Sequence, residues 1–209
     1  MDNFRKFWLV VAMLLLATGP ALASTELRYA QVGSTFTGKD YNQGKTNQLN
    51  SAGLGFMLPV ADLFRLRLDL LGVQVGGQSV LQGQTERDTL TYLQAPIMLG
   101  FSFLPGIEVF GGWYASKLLV AYSAPAGNQK ETPSNGLFND VDTGWTYGAS
   151  LTFFGFLRLD ARQNIGINSI IKPNSSATLQ TDAGLAQNVT TQQQEVKNSW
   201  TSMSVGILF

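Results

Sequence analysis

Along most of the chain, apolar side chains recur at every second position and not at helical spacing. In 156–168, Leu157, Leu159, Ala161, Ile165 and Ile167 alternate with Arg158, Asp160, Arg162, Asn164, Gly166 and Asn168. One face is greasy and the other charged. The same period sets Phe64, Leu66, Leu68 and Leu70 against Arg65, Arg67 and Asp69, and sets Leu93, Ala95, Ile97, Leu99, Phe101 and Phe103 against Gln94, Met98, Gly100 and Ser102. Trp145, Tyr147, Ala149, Leu151 and Phe153 oppose Thr146, Gly148, Ser150 and Thr152, and the chain closes on Met203, Val205, Ile207 and Phe209 against Ser202, Ser204 and Gly206. Such alternation predicts strands whose two faces meet different surroundings.

Eight strands are expected, over 26–36, 48–58, 63–75, 89–103, 106–121, 142–154, 156–168 and 196–208. The first is the least regular, because neither parity class of 27–36 is cleanly apolar. Connection lengths alternate as well. Residues 59–62, 104–105 and 155 make tight turns, whereas 37–47, 76–88, 122–141 and 169–195 are long and rich in Gly, Asn, Gln, Ser and Thr. An even strand count with short turns on one side and long polar loops on the other predicts an all-β fold: a closed eight-stranded antiparallel up-and-down transmembrane β-barrel with both termini periplasmic. Parity alone also fits a soluble sandwich or calyx with an apolar interior. Loop segregation and the terminal Phe209 favour the membrane version.

Aromatic placement agrees. Phe64, Phe101, Phe103, Phe153, Phe156 and Phe209 lie by short turns or at the chain end, and Trp145, Tyr147 and Trp200 lie toward the long loops. Trp145 and Phe153 share a face and are roughly 21 Å apart in height at ~3.4 Å per residue and a ~40° tilt, close to the ~25 Å apolar band of such barrels. Trp200 has the opposite parity and is expected in the lumen.

The first segment reads differently. Arg5 and Lys6 precede an apolar run over 7–17, followed by Gly19-Pro20 and Ala21-Leu22-Ala23. The run is too short to span a bilayer, and the small residues suit a signal peptidase. Residues 1–23 are therefore expected to be a cleaved signal peptide and 24–209 the barrel domain.

Charge and composition narrow the chemistry. Fourteen basic and fourteen acidic residues cancel, and only 13% of the 209 positions are charged. No basic excess points to nucleic acid as a partner. The absence of His and Cys removes disulfides, thiol nucleophiles, the usual zinc ligands and Ser-His catalysis, so a non-enzymatic chain with no cofactor and no metal is expected.

What charge there is falls at particular places. The third, fifth and seventh strands each carry inward-facing charge just after a short turn: Arg65, Arg67 and Asp69; Glu108; and Arg158, Asp160 and Arg162. These seven groups should meet inside the periplasmic half of the barrel. An eight-stranded barrel has room inside for little beyond side chains, so they should pair into a salt-bridged plug with a nominal charge of +1. Pro96, within a strand, is expected to mark a bulge. Asp140 and Asp142 are expected in a mobile loop, solvated or holding an adventitious cation. Residues 169–198 suit an extended hairpin or a disordered surface segment.

From Tyr92 onward the chain resembles the PorT-like small outer-membrane β-barrels of Bacteroidetes. The similarity rests on Tyr92-Leu93-Gln94-Ala95-Pro96-Ile97-Met98-Leu99, on Gly111-Gly112-Trp113-Tyr114-Ala115, on 157–166 and on the closing Val205-Gly206-Ile207-Leu208-Phe209. The family pattern usually places an acidic and a β-branched residue before the proline, where this chain has Gln94 and Ala95. The resemblance implies eight strands and an outer-membrane location, and some members of the family are linked to secretion and gliding machinery. The leading expectation is a structural or surface-interaction barrel, or an accessory to an envelope or secretion complex. A narrow channel or passive small-solute transporter is the alternative. The partners expected are outer-membrane lipid and, through the extracellular loops, other envelope proteins.

Overall fold

The computed structural model describes residues 24–37, 47–81, 84–125, 132–174, 176–180, 186–190 and 195–209. The segment expected as signal peptide, 1–23, lies outside them. Eight long strands form the wall: β1 (Ser24–Thr37), β2 (Asn47–Ala61), β3 (Phe64–Leu81), β4 (Gln84–Leu104), β5 (Ile107–Pro125), β7 (Val141–Phe153), β8 (Leu157–Gly166) and β11 (Lys197–Leu208). Three short strands and a 3-10 turn (Asn135–Leu137) decorate the long-loop side among the described residues: β6 (Thr132–Pro133), β9 (Ser176–Gln180) and β10 (Ala186–Thr190), the last two pairing as a hairpin. Neighbouring wall strands pair antiparallel, and β1 pairs with β11, so the sheet closes and has no free edge around its girth.

The closure is staggered. Following partners from Ile107 through Leu151, Leu159, Val205, Tyr29, Ala52, Gly72 and Leu93 returns to β5 at Lys117, ten residues further on. For eight strands this shear tilts them at roughly 35–45° to the barrel axis. A row of partners therefore climbs toward the long loops as it passes from β5 through β7, β8, β11, β1 and β2.

The expected strands are present but several are longer. β3 and β4 continue through most of the expected 76–88 loop, and β5 reaches Pro125. Gly76 and Gly77, where β3 enters this extension, let it lean over the end of β2 toward β1. There the Ser34 hydroxyl donates to the Gly76 carbonyl at 2.7 Å and accepts from the Gly76 N–H at 2.6 Å. The tight turn between β7 and β8 uses left-handed backbone at Phe154 (φ 52°) and Gly155 (φ 76°), an arrangement that glycine tolerates at little cost.

The bulge expected at Pro96 is absent. The β3–β4 register is the same on both sides of it, from Leu68↔Ile97 to Leu71↔Gln94. Only the ladder contacts opposite Ala95 and Pro96 drop out, which accommodates the missing N–H without an inserted residue. The bulges of β4–β5 lie instead between Thr91 and Tyr92 and between Ser102 and Leu104.

Candidate functional site: a layered lumen

Outward and inward faces separate by chemistry. Leu27, Leu54, Leu99, Val109, Trp145, Tyr147, Val205 and Ile207 are exposed on the outer wall. A surface of this kind is solvated by lipid more favourably than by water. Ionic groups are enclosed, and they lie toward the short-turn end, where β1, β3, β5 and β8 bring them together.

Asp160 is the hub of this ionic layer. Its Oδ2 lies 2.8 Å from Arg67 Nη2, 3.1 Å from Arg28 Nη2 and 3.5 Å from Arg162 Nη2, and its Oδ1 accepts from Arg158 Nε at 3.1 Å. Asp69 bridges Arg28 (3.0 Å) and Arg162 (2.7 Å). Glu108 bridges Arg67 (3.2 Å) and Arg158 (2.5 Å). The Arg67 guanidinium also stacks over the Phe110 ring, 4.0 Å from its centroid. Arg158 is further held by Ser150 Oγ and Met57 Sδ.

Six of the seven sequence-predicted groups therefore meet in the lumen: Arg67, Asp69, Glu108, Arg158, Asp160 and Arg162. Arg65 does not. Its side chain is 46% exposed at the short-turn mouth and reaches Glu108 only from outside, at 3.5 Å. A cavity of about 720 Å³ opens there, lined by Arg65, Arg158, Met57, Pro59, Pro105 and Phe209 among others.

Two buried members come from β1: Glu26 and Arg28, joined to each other at 2.8 Å, with Arg28 also bound to Asp69 and Asp160. With them the enclosed layer holds four arginines and four carboxylates and is formally neutral. This replaces the expected +1 plug. Neutrality matters because an uncompensated charge in this dry interior would cost several kcal/mol.

A second layer sits above the ionic one. Val32, Phe36, Val73, Val75, Leu90, Leu118 and Trp200 point inward there and pack into one apolar cluster with Tyr92 and Tyr114. Trp200 meets Tyr114 edge-on with ring centroids 5.2 Å apart. Residues from the long loops close this layer from above: Leu137 and Phe138, Ile170 and Ile171, and Val196. Backbone hydrogen bonds stitch that lid, from Lys172 N to Leu137 O (2.8 Å), Asn139 N to Ile170 O (2.7 Å) and Ile170 N to Val196 O (2.8 Å). Outside it, Lys172 pairs with Asp140 at 3.0 Å.

Asp142 is not in a mobile loop. It is the second residue of β7, points inward and is buried, accepting from Asn198 Nδ2 (2.9 Å) and the Tyr114 hydroxyl (3.2 Å). Among the described residues no Lys or Arg pairs with it. Asp142 Oδ1 and Asn198 Oδ1 both lack a partner. A carboxamide in place of the Asp142 carboxylate keeps an oxygen to accept from Asn198 Nδ2 and the Tyr114 hydroxyl, and it removes a buried charge with no cationic partner. Asp142→Asn is therefore expected to change unfolding free energy by less than about 1 kcal/mol, read from the urea midpoint in lipid vesicles.

No protein-family model matches the chain, and no curated protein does. Among solved structures, the chain is similar to the attachment invasion locus protein Ail of Yersinia pestis, at 14% identity and a TM-score of 0.48, covering 90% of this chain and 97% of that one. It is similar to Neisserial surface protein A at 10% identity and 0.48, with the same coverage, and to the outer membrane protein OprG of Pseudomonas aeruginosa at 12% and 0.46, covering 90% and 96%. At such identities the likeness concerns the fold. The closed eight-stranded barrel that the PorT-like resemblance implies is the fold observed.

Proposed function

We propose that the chain is an outer-membrane barrel that acts through its outer rim and wall and not through its lumen. The observation that carries this reading is the double closure: a neutral ionic layer across the short-turn half and an apolar layer under a stitched lid across the other. Eight strands leave an interior that side chains fill. A hydrated solute would have to break buried ion pairs and then cross apolar packing. The rigid barrel instead presents the extended β3–β4–β5 wall and the β9–β10 hairpin beyond the membrane, where loops on a fixed scaffold concentrate recognition. The PorT-like resemblance supports a role as accessory to an envelope complex, and the lack of His and Cys supports a non-enzymatic one.

A narrow channel is the second reading, favoured by the cavity at the mouth and by the unpartnered polar atoms of Thr146, Asn164 and Gln94 above the ionic layer. Planar-bilayer recording distinguishes the two. The closed reading expects no steady conductance from the purified chain. A steady conductance that shifts with Arg158→Gln would overturn it in favour of the channel.

A further inference from the structure

At the short-turn mouth the neutral ionic layer gives way to uncompensated positive charge. The cavity of about 720 Å³ that opens there is lined by Arg65 and Arg158 and by no Asp or Glu. Met57, Pro59, Pro105 and Phe209 set an apolar wall beside the two guanidinium groups. The ends of β1, β2 and β11 and the turns between β4 and β5 and between β7 and β8 all border this space, so the wall of the barrel holds its shape.

Neither arginine is saturated. Arg65 is 46% exposed and reaches Glu108 Oε2 at 3.5 Å, an oxygen to which the Ser102 hydroxyl also donates at 3.5 Å. Arg67 and Arg158 take the other oxygen, Oε1, at 3.2 and 2.5 Å. Arg65 is thus the third guanidinium on a single carboxylate. In Arg158, Nε and Nη2 donate to Asp160, Glu108 and Ser150, whereas Nη1 donates to the Met57 sulfur at 2.7 Å and to no oxygen among the described residues. A thioether is a weak acceptor. Arg158 is 1% exposed, and both it and Met57 border the cavity that Arg65 reaches from outside. Glu108 sets the two arginines side by side, with Oε2 on the one and Oε1 on the other.

We propose that this mouth binds a small organic carboxylate with an apolar body. Its oxygens supply the acceptors that Arg65 and Arg158 Nη1 lack, and a planar carboxylate matches the guanidinium fork. One negative charge is the number required, because the enclosed layer is neutral and Arg65 is the one charged lining residue outside it. A bare inorganic ion would fill little of the cavity and leave the apolar wall wet, whereas an alkyl or aromatic body removes that wall from water. The inference goes beyond the proposed function by giving the barrel a small-molecule ligand at its short-turn end. The site lies outside the ionic layer and stands whether or not the lumen conducts.

Titration calorimetry of the barrel in detergent micelles, where both mouths meet solvent, is expected to show one saturable hexanoate site per chain. Acetate, four methylenes shorter, should bind about tenfold or more weakly, since each buried methylene is worth about fourfold in affinity. Hexanol, which lacks the anion, should give no saturable site. Arg65→Gln, at a half-exposed position, leaves the enclosed ion pairs in place and so preserves folding, and it should weaken hexanoate about tenfold or more. Arg65→Lys, which keeps the charge but not the fork, should lie between the two. No saturable hexanoate heat, acetate as tight as hexanoate, a hexanol site of equal affinity, or an Arg65→Gln chain that binds as the native one does would each overturn the proposal.

Discussion

Asp160→Ala is expected to abolish or nearly abolish assembly of the barrel. The four arginines of the ionic layer converge on this one carboxylate, three on Oδ2 and one on Oδ1. Its removal leaves an excess positive charge where Arg67 is 0% and Arg158 1% exposed. Breaking a buried network by deleting one partner costs about 3–5 kcal/mol, and here several pairs lose their acceptor together. Glu108→Ala should cost less, because only two enclosed arginines, Arg67 and Arg158, rest on Glu108, its third partner Arg65 being half-exposed. Urea titration in vesicles, with heat-modifiable gel mobility as the assay of folded barrel, ranks the two. An Asp160→Ala protein that folds with the native midpoint would show that the network contributes nothing.

Gly148→Val is expected to be as damaging, for a steric reason. A Cβ built at Gly148 collides with the Ala161 carbonyl on the neighbouring strand and comes within 2.8 Å of Phe110 Cζ. Backbone cannot yield there without breaking the β7–β8 ladder, whose register pairs Gly148 with Arg162. Moving Phe110 instead would withdraw the ring on which Arg67 and Arg162 rest. Overpacking of this kind typically costs about 1–3 kcal/mol, and a loss of the stacked guanidinium adds to it. The same assay applies. Gly155→Ala, with nothing within 4 Å of an added Cβ, separates steric crowding from glycine's backbone freedom and should be milder.

How much of this was legible in the sequence differs from strand to strand. β8 was fully legible, because Arg158, Asp160 and Arg162 face Leu157, Leu159 and Ala161 with unbroken period two. β1 was not, and Glu26 and Arg28 were missed for an identifiable reason. Its inward class runs Glu26, Arg28, Ala30, Val32, Ser34, Phe36, so it crosses from the ionic layer into the apolar one. A strand whose inner face changes chemistry halfway has no single polar parity to detect. β3 hides the same switch, from Arg67 and Asp69 to Val73 and Val75. Arg65 has the right parity but sits beyond the ring of the wall, a matter of height that alternation does not encode.

Fold class, the number of wall strands, the alternation of short and long connections and the apolar face of most strands are legible in the residues alone, because a two-residue period and turn chemistry are local properties of the chain. The closed barrel settles which charges meet, that β1 makes the ionic layer neutral, that Asp142 is enclosed, and that loop residues 137–138 and 170–171 cap an apolar upper lumen. Those facts depend on the stagger of the closed sheet, which brings residues distant in the chain to one height, and stagger is fixed by the fit of all eight strands at once.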